Sequence, residues 1–348
     1  MRVYPAEGLE FPDWTPPYPV AINPHVEQCK KYSEEWALRT GLSTTQTALE
    51  RGKICMYTEC AAWLYPTISL EGMKIASKWS WWIFTNDDLF DEGNSGVSPT
   101  KTDTVTPSLI SALYGDPLPD DIEQIYSCVE EFMQCLRGMM EPHWIQRFAC
   151  GMSDYAYTLS WGTANRVHQR YPTIEEYKKR RLYDGAMIPT YDLVELDEQA
   201  QIPQRFRESH WTIEFLTEAA NLINWDNDIR SIFKESNHNH VNNMVYVVQH
   251  ERGGTLQGAV NATHAMVLEC CDNIARMESE LPAVCRSYHL TPAETDRCHY
   301  WFNLVLTAMG GGIAWQKASG RFSRDQVQEF NAGSDPAYLE DHFRREGC

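Results

Sequence analysis

Two short runs in this chain place oxygen ligands at helical spacing. The first is Asp87-Asp88-Leu-Phe-Asp91, which closes an aromatic stretch beginning Trp79-Ser-Trp-Trp-Ile-Phe84. Asp87 and Asp91 are four residues apart, and Asp88 and Asp91 three, so on a helix their carboxylates share one face. At a helix C-terminus they repel one another and the negative end of the helix dipole. A cation would offset that cost. Carboxylate oxygens suit Mg2+, which proteins hold with one or two carboxylates together with the phosphate oxygens of a substrate. Taken alone, the run reads equally well as a solvated acidic helix end.

The second run is Asn227-Asp-Ile-Arg-Ser231-Ile-Phe-Lys234-Glu235. Asn227, Ser231 and Glu235 fall at i, i+4 and i+8, and at about 100° per residue they span only about 80° of a helix surface. An amide carbonyl, a hydroxyl and a carboxylate thus form one stripe of hard ligands suited to Mg2+. Lys234, inside the run, is placed to face a substrate anion. Asp226 and Asp228 project off the stripe and read as helix-surface or packing residues.

A basic cluster at 178–181 supplies a third element. Lys178 and Lys179 read as a solvated face. Arg181 differs, because Asp184 and Gly185 follow at the next turn, where a helix can break. A guanidinium recognises phosphate in a bidentate way, and a nearby Asp can hold it in place. Arg321-Phe322 adds a fourth candidate anion contact.

Helices must position these residues. Asn23-Pro24 reads as a cap opening a helix to about Thr40; a second helix spans about 45–65, and a third runs from near Ser69 to the Asp cluster. Residues 93–104 read as a loop. Helical pattern then covers about 105–114, 120–140 and 142–169. Thr173 and Glu176 form a capping-box pattern for the helix carrying Arg181. Further helices are expected at about 188–198, 206–236, 241–251 and 255–283, and from Thr291 to about Ser319. Alternating strand patterns and hairpin turns are missing from the sequence, so the fold class is all-α. Residues 1–22 read as an extended arm, 23–322 as one helical domain, and 323–348 as a polar tail.

Composition narrows the partners. The 348 residues carry a net charge of −18, which argues against nucleic acid or an anionic membrane as the main partner. Eleven scattered cysteines, without a Cys-x-x-Cys pair, read as reduced thiols of a cytoplasmic protein. The N-terminus has no apolar signal-peptide region, and no apolar run is long enough to span a membrane.

Taken together, the motifs resemble those of the class I terpene synthases of bacterial and fungal type, from about Asn23 to Phe322. Asp87-Asp88-Leu-Phe-Asp91 matches the family's aspartate-rich motif, and Asn227/Ser231/Glu235 its Asn/Ser/Glu triad. Arg181 lies 46 residues before Asn227, where the family places its diphosphate-sensing arginine, and Asp184 and Gly185 match the linker and effector of its helix-break switch. Trp315 followed by Arg321 resembles the closing Trp/Arg-Tyr pattern, with Phe322 where Tyr is usual. The resemblance implies a helical bundle around an apolar cavity and three Mg2+ ions on a prenyl diphosphate. Asp87, Asp88, Asp91, Asn227, Ser231 and Glu235 form the metal set, and Arg181, Lys234 and Arg321 contact the diphosphate. Phe84 and Trp315 are weighted as cavity aromatics that stabilise a carbocation, ahead of Trp63, Trp82, Trp225 and Trp301. The implied activity is cyclisation of farnesyl diphosphate, with geranylgeranyl diphosphate the rival substrate and a homodimer an open arrangement. Two alternatives stay open: a trans-prenyltransferase, which would carry a second aspartate-rich motif in place of the triad, and a non-catalytic diphosphate-binding helical protein.

Overall fold

A computed structural model describes residues 8–91, 96, 98–118, 124–236 and 241–323. Among them the secondary structure is helical, with no strand, as the sequence predicts. The helices are α1 (Val26–Arg39), α2 (Gln46–Ile54), α3 (Tyr57–Leu64), α4 (Leu70–Asp91), α5 (Pro99–Tyr114), α6 (Gln124–Arg137), α7 (Pro142–His168), α8 (Ile174–Asp184), α9 (Met187–Asp192), α10 (Gln204–Arg207), α11 (His210–Arg230), α12 (Ile232–Ser236), α13 (Met244–Arg252), α14 (Leu256–Ser287) and α15 (Pro292–Ala318). A 3₁₀ turn, Gly320–Phe322, ends the described chain. Helices α3, α4, α7, α8, α11 and α15 supply the walls of one central cavity.

Local chemistry sets the ends of the cavity helices. Ser69 caps α4, accepting from the Gly72 N–H at 3.2 Å. Ser209 caps α11 through the Thr212 N–H at 3.1 Å. Thr291 and Glu294 form a full capping box on α15, with Pro292 in the first turn. At α8 only half of the expected box forms. Thr173 accepts from the Glu176 N–H, while the Glu176 carboxylate turns to Arg170 and Trp161.

Several element boundaries differ from expectation. Asn23 is no helix cap: α1 begins at Val26, and the buried Asn23 amide donates to the carbonyls of Tyr65 and Ile68 at 2.8 and 3.0 Å. The helix expected at 45–65 is two, α2 and α3, because Met56 takes a left-handed φ of 57°. That break frees the Cys55 and Met56 carbonyls to accept the Trp315 Nε1–H, and Cys55 also accepts the Ser319 hydroxyl. It therefore anchors the chain just before Arg321. The expected loop at 93–104 is already helical from Pro99, with Ser98 as cap; residues 92–95 and 97 lie outside the described residues. The stretch 206–236 is interrupted at Glu208–Ser209, between α10 and α11, and again at Ser231. There the helical register survives through bonds from the Ser231 N–H to the Asn227 carbonyl (2.8 Å) and from the Glu235 N–H to the Ser231 carbonyl (2.9 Å).

The arm from Gly8 to Ile22 is extended and packs on the bundle. Trp14 donates to Asp226 at 3.0 Å, and Phe11 meets Phe233 edge-on with ring centroids 5.1 Å apart. Gly310 and Gly311 of α15 admit neighbouring main chain, since a Cβ on either would lie 2.2 Å from the Pro19 or Trp63 carbonyl oxygen. Gly312 is different and lines the cavity. The polar tail at 323–348 lies outside the described residues after Ser323. No described helix is long and apolar enough to cross a membrane.

Candidate active site

The cavity is lined by charged and oxygen-bearing side chains and by aromatic and aliphatic ones. Asp87, Asp91, Asn227, Ser231, Glu235, Arg181, Asp184, Lys234 and Arg321 all line it, together with Gly185, Phe84 and Trp315. The structure thus brings residues from 84 to 321 of the sequence around one space. Of the nominated metal, diphosphate and helix-break residues and the two weighted aromatics, all line that space except Asp88.

Asp88 points the other way for a geometric reason. One residue beyond Asp87, it is rotated about 100° around α4 and faces α2 and α3. Its buried carboxylate accepts from Arg321 Nη1 at 2.6 Å and Tyr57 Oη at 3.0 Å, and pairs with Arg51 Nη2 at 3.1 Å. Burial pushes this carboxyl upward, but Arg321, Arg51 and Lys234 outweigh it and hold it well below the usual carboxylate range. Asp88 is saturated by donors and corrects the expectation of a third ligand on this motif: it anchors Arg321 at the cavity edge.

Asp87 and Asp91 keep the cavity face. Arg321 Nη2 lies 2.5 Å from Asp87, and Lys234 Nζ lies 3.8, 3.5 and 3.6 Å from Asp87, Asp88 and Asp91. These cations offset the crowding of carboxylates at the helix C-terminus. Even so, enclosure and the neighbouring Asp91 raise Asp87 to about 6. Arg166 of α7 also reaches Asp91, at 3.3 Å.

Across the cavity, the Asn/Ser/Glu stripe is preassembled. Ser231 donates to Glu235 Oε1 at 2.6 Å, and Asn243 donates to Glu235 Oε2 at 2.8 Å. Burial, with Asp228 and Asp91 nearby, raises Glu235 to about 8. A cation bound here would relieve that repulsion. The donor set fits Mg2+: two carboxylates on one side, and an amide oxygen, a hydroxyl and a carboxylate on the other. Among the described residues no three His, Cys, Asp or Glu side chains form a ready-made metal cage.

Arg181 connects the stripe to the helix break. Its guanidinium donates to Asp228 Oδ1 (3.1 Å), Asp184 Oδ2 (3.2 Å) and Asn227 Oδ1 (3.1 Å). Of the two readings its off-stripe position allows, Asp228 is the packing partner and not a helix-surface residue. It is buried, and it also accepts from Tyr177 Oη at 2.8 Å and the Met244 N–H at 2.9 Å. Asp226 is likewise buried, between Trp14 and Arg230. The break falls where the sequence places it: α8 ends at Asp184, and α9 begins at Met187.

The apolar lining is largely aromatic and touches the charged residues, with Arg321 over the Phe84 ring at 5.3 Å. The Phe84 and Trp315 ring centroids are 4.7 Å apart, and Phe322 meets Trp315 edge-on at 5.5 Å. Trp79, Ser80, Ile83, Phe84 and Asp87 form the cavity face of α4, so the wall does run up to the acidic residues. Trp82 belongs to the core, donating to the Ile125 carbonyl. Trp63, Trp225 and Trp301 are also absent from the cavity lining. Sequence reasoning missed Arg166, Asn242 and Asn243; single polar residues on α7 and before α13 carry no local motif.

A family model, terpene synthase family 2 with C-terminal metal binding, matches residues 78–273, which contain both ligand runs and Arg181. The chain belongs to this terpene synthase family. It is similar to pentalenene synthase of Streptomyces avermitilis, 27% identical over 332 residues, covering 94% of this chain and 97% of the relative. It is also similar to the (+)-T-muurolol synthase of Roseiflexus castenholzii, 30% identical over 247 residues, covering 70% of this chain and 75% of the relative. Among solved structures, a hedycaryol synthase superposes with a TM-score of 0.80 at 22% identity, covering 89% of this chain and 99% of that one, which supports the shared all-α fold. The terpene synthase assignment identifies the chain as a lyase of a metal-binding family.

Proposed function

We propose that this terpene synthase ionises farnesyl diphosphate and cyclises the resulting cation, with Mg2+ as its metal. The observation that carries the reading is the cavity's polarity. Facing oxygen-ligand motifs, with Arg181, Lys234 and Arg321, line it directly beside an aromatic wall, and the Arg321 guanidinium lies over the Phe84 ring, 5.3 Å from its centroid. The T-muurolol synthase among its relatives is described as cyclising (2E,6E)-farnesyl diphosphate, which favours the C15 substrate over geranylgeranyl diphosphate.

Asp87 and Asp91 would hold two Mg2+ ions, and Asn227, Ser231 and Glu235 a third. Bound Mg2+ would act as a Lewis acid that neutralises the leaving diphosphate. Arg181, Lys234 and Arg321 add charge-assisted hydrogen bonds to its oxygens. In the free enzyme these cations rest on the protein's own carboxylates. Substrate then gives them a second acceptor, and Arg181 turning to diphosphate releases the Asn227 amide oxygen that it holds at 3.1 Å. The allylic C–O bond breaks and its electron pair leaves with diphosphate. A substrate double bond attacks the cation, and loss of a proton or capture of water ends the sequence. Phe84 and Trp315 offer π faces without a nucleophilic lone pair, while the packed wall excludes bulk water.

The protein is further proposed to work in the cytoplasm, with a homodimer as the assembly to check by light scattering. Incubation with Mg2+ and either farnesyl or geranylgeranyl diphosphate, followed by analysis of hydrocarbon and alcohol products, tests the activity. Cyclic C15 products are expected. Elongated diphosphates on addition of isopentenyl diphosphate, or turnover of the C20 substrate alone, would contradict the proposal.

A further inference from the structure

We propose that Asn224 is a positioning residue that seats the helix break against the metal-binding helix and thereby sets how Arg181 and the break face the cavity. The inference deepens the terpene synthase reading of the cavity and rests on it. Asn224 is buried, lines the cavity and precedes Asn227 by three residues on α11. Its Nδ2 donates to the main-chain carbonyl of Arg181 at 3.0 Å. That carbonyl also accepts the Gly185 N–H at 3.1 Å, the last helical bond before the break. The end of α8 is thus tied to α11 twice, through the Arg181 side chain to Asn227 and Asp228 and through its main chain to Asn224.

The glycine at 185 shows how close this contact is. Gly185 has a φ of −75°, a conformation open to any residue, while the left-handed φ of 50° falls on Ala186. Backbone freedom therefore does not account for glycine here; space does. A Cβ at 185 would stand 2.0 Å from Asn224 Oδ1 and 2.7 Å from its Cγ and Nδ2. The carboxamide occupies the space that a side chain at 185 would need. It can yield to a methyl group only by leaving the Arg181 carbonyl or by pushing the break away from α11.

A double-mutant cycle tests the contact. Gly185→Ala is expected to lower kcat with farnesyl diphosphate and Mg2+ by ~10²-fold, the scale of a small misplacement in an active site. It should also lower the melting temperature by several degrees. Asn224→Ala alone should lower kcat roughly tenfold through looser positioning, with KM and melting temperature near those of the parent and a broader product mixture. Gly185→Ala/Asn224→Ala should recover to the level of Asn224→Ala in both kcat and melting temperature, because the methyl group then has room. A double variant no better than Gly185→Ala overturns the proposal, as does an Asn224→Ala enzyme with unchanged kcat and products. The melting temperatures read the contact without turnover. A parent protein inactive on every prenyl diphosphate would therefore sink the activity while the stability cycle still tested the seat.

Discussion

Replacing Arg181 with Met separates the two tasks that the guanidinium performs. In the free protein it satisfies Asp228, a carboxylate otherwise held by Tyr177 and the Met244 N–H, and it also contacts Asp184 and Asn227. Removing one partner of a buried ion pair costs about 3–5 kcal/mol, since a charge is left uncompensated. At roughly 1.4 °C per kcal/mol for a chain of 348 residues, the melting temperature should fall by about 4–7 °C. In the reaction, Arg181 is assigned two charge-assisted hydrogen bonds to diphosphate, each worth about 1.5–3 kcal/mol. Their loss amounts to ~3–6 kcal/mol, or ~10²–10⁴ in kcat/KM at 1.36 kcal/mol per decade. Adding Asp228→Asn removes the stranded charge. Arg181→Met/Asp228→Asn should regain much of the lost stability and none of the lost activity. Steady-state diphosphate release and differential scanning calorimetry on the three variants provide the assay. A folded Arg181→Met enzyme within tenfold of the parent would refute the role given to Arg181.

Asn227→Ala and Glu235→Ala should each nearly abolish turnover while the protein stays folded, because loss of Glu235 also relieves repulsion from Asp228 and Asp91; circular dichroism beside a product assay checks both points. Phe322→Tyr should not reduce turnover, since the ring lines the cavity beside Trp315 and a hydroxyl there adds a donor; a large loss would show the ring edge to be tightly enclosed. Gly312→Ala should change product ratios, because its Cβ would enter the cavity in ordinary contact with Ile223 (3.5 Å) and Leu64 (3.6 Å). The same change should leave stability level or raise it by up to about 1 kcal/mol, the usual gain of Ala over Gly in a helix, as calorimetry would show.

Much of this site is legible in the sequence because its ligands lie on regular helices. Asn227, Ser231 and Glu235 recur every four residues, and the turn at Ser231 does not spoil that register. Asp87 and Asp91 obey the same rule at the end of α4. Periodicity fails where a neighbouring helix decides burial. Asp228 lies off the stripe, which leaves surface and packing roles open; α8 and α13 close over that side and make it the packed anchor of Arg181. Asp88 carries the ligand chemistry but turns toward Tyr57 and Arg51, which no spacing within its own motif reveals. Arg166 and Asn243 reach the site through tertiary packing alone. The break at Met56 was missed because neither Gly nor Pro marks its left-handed residue. At Gly185 the break was predicted, but the reason for the glycine is the side chain of Asn224 rather than backbone freedom.

The account centres on a clamp in which Asp87/Asp91 and Asn227/Ser231/Glu235 take metal and diphosphate together with Arg181, Lys234 and Arg321. Calorimetric titration of the protein with inorganic diphosphate, with and without Mg2+, measures that directly. Tight binding is predicted only when Mg2+ is present, weakened strongly by Glu235→Ala. Equal affinity in a metal chelator, or binding indifferent to Glu235, would contradict it.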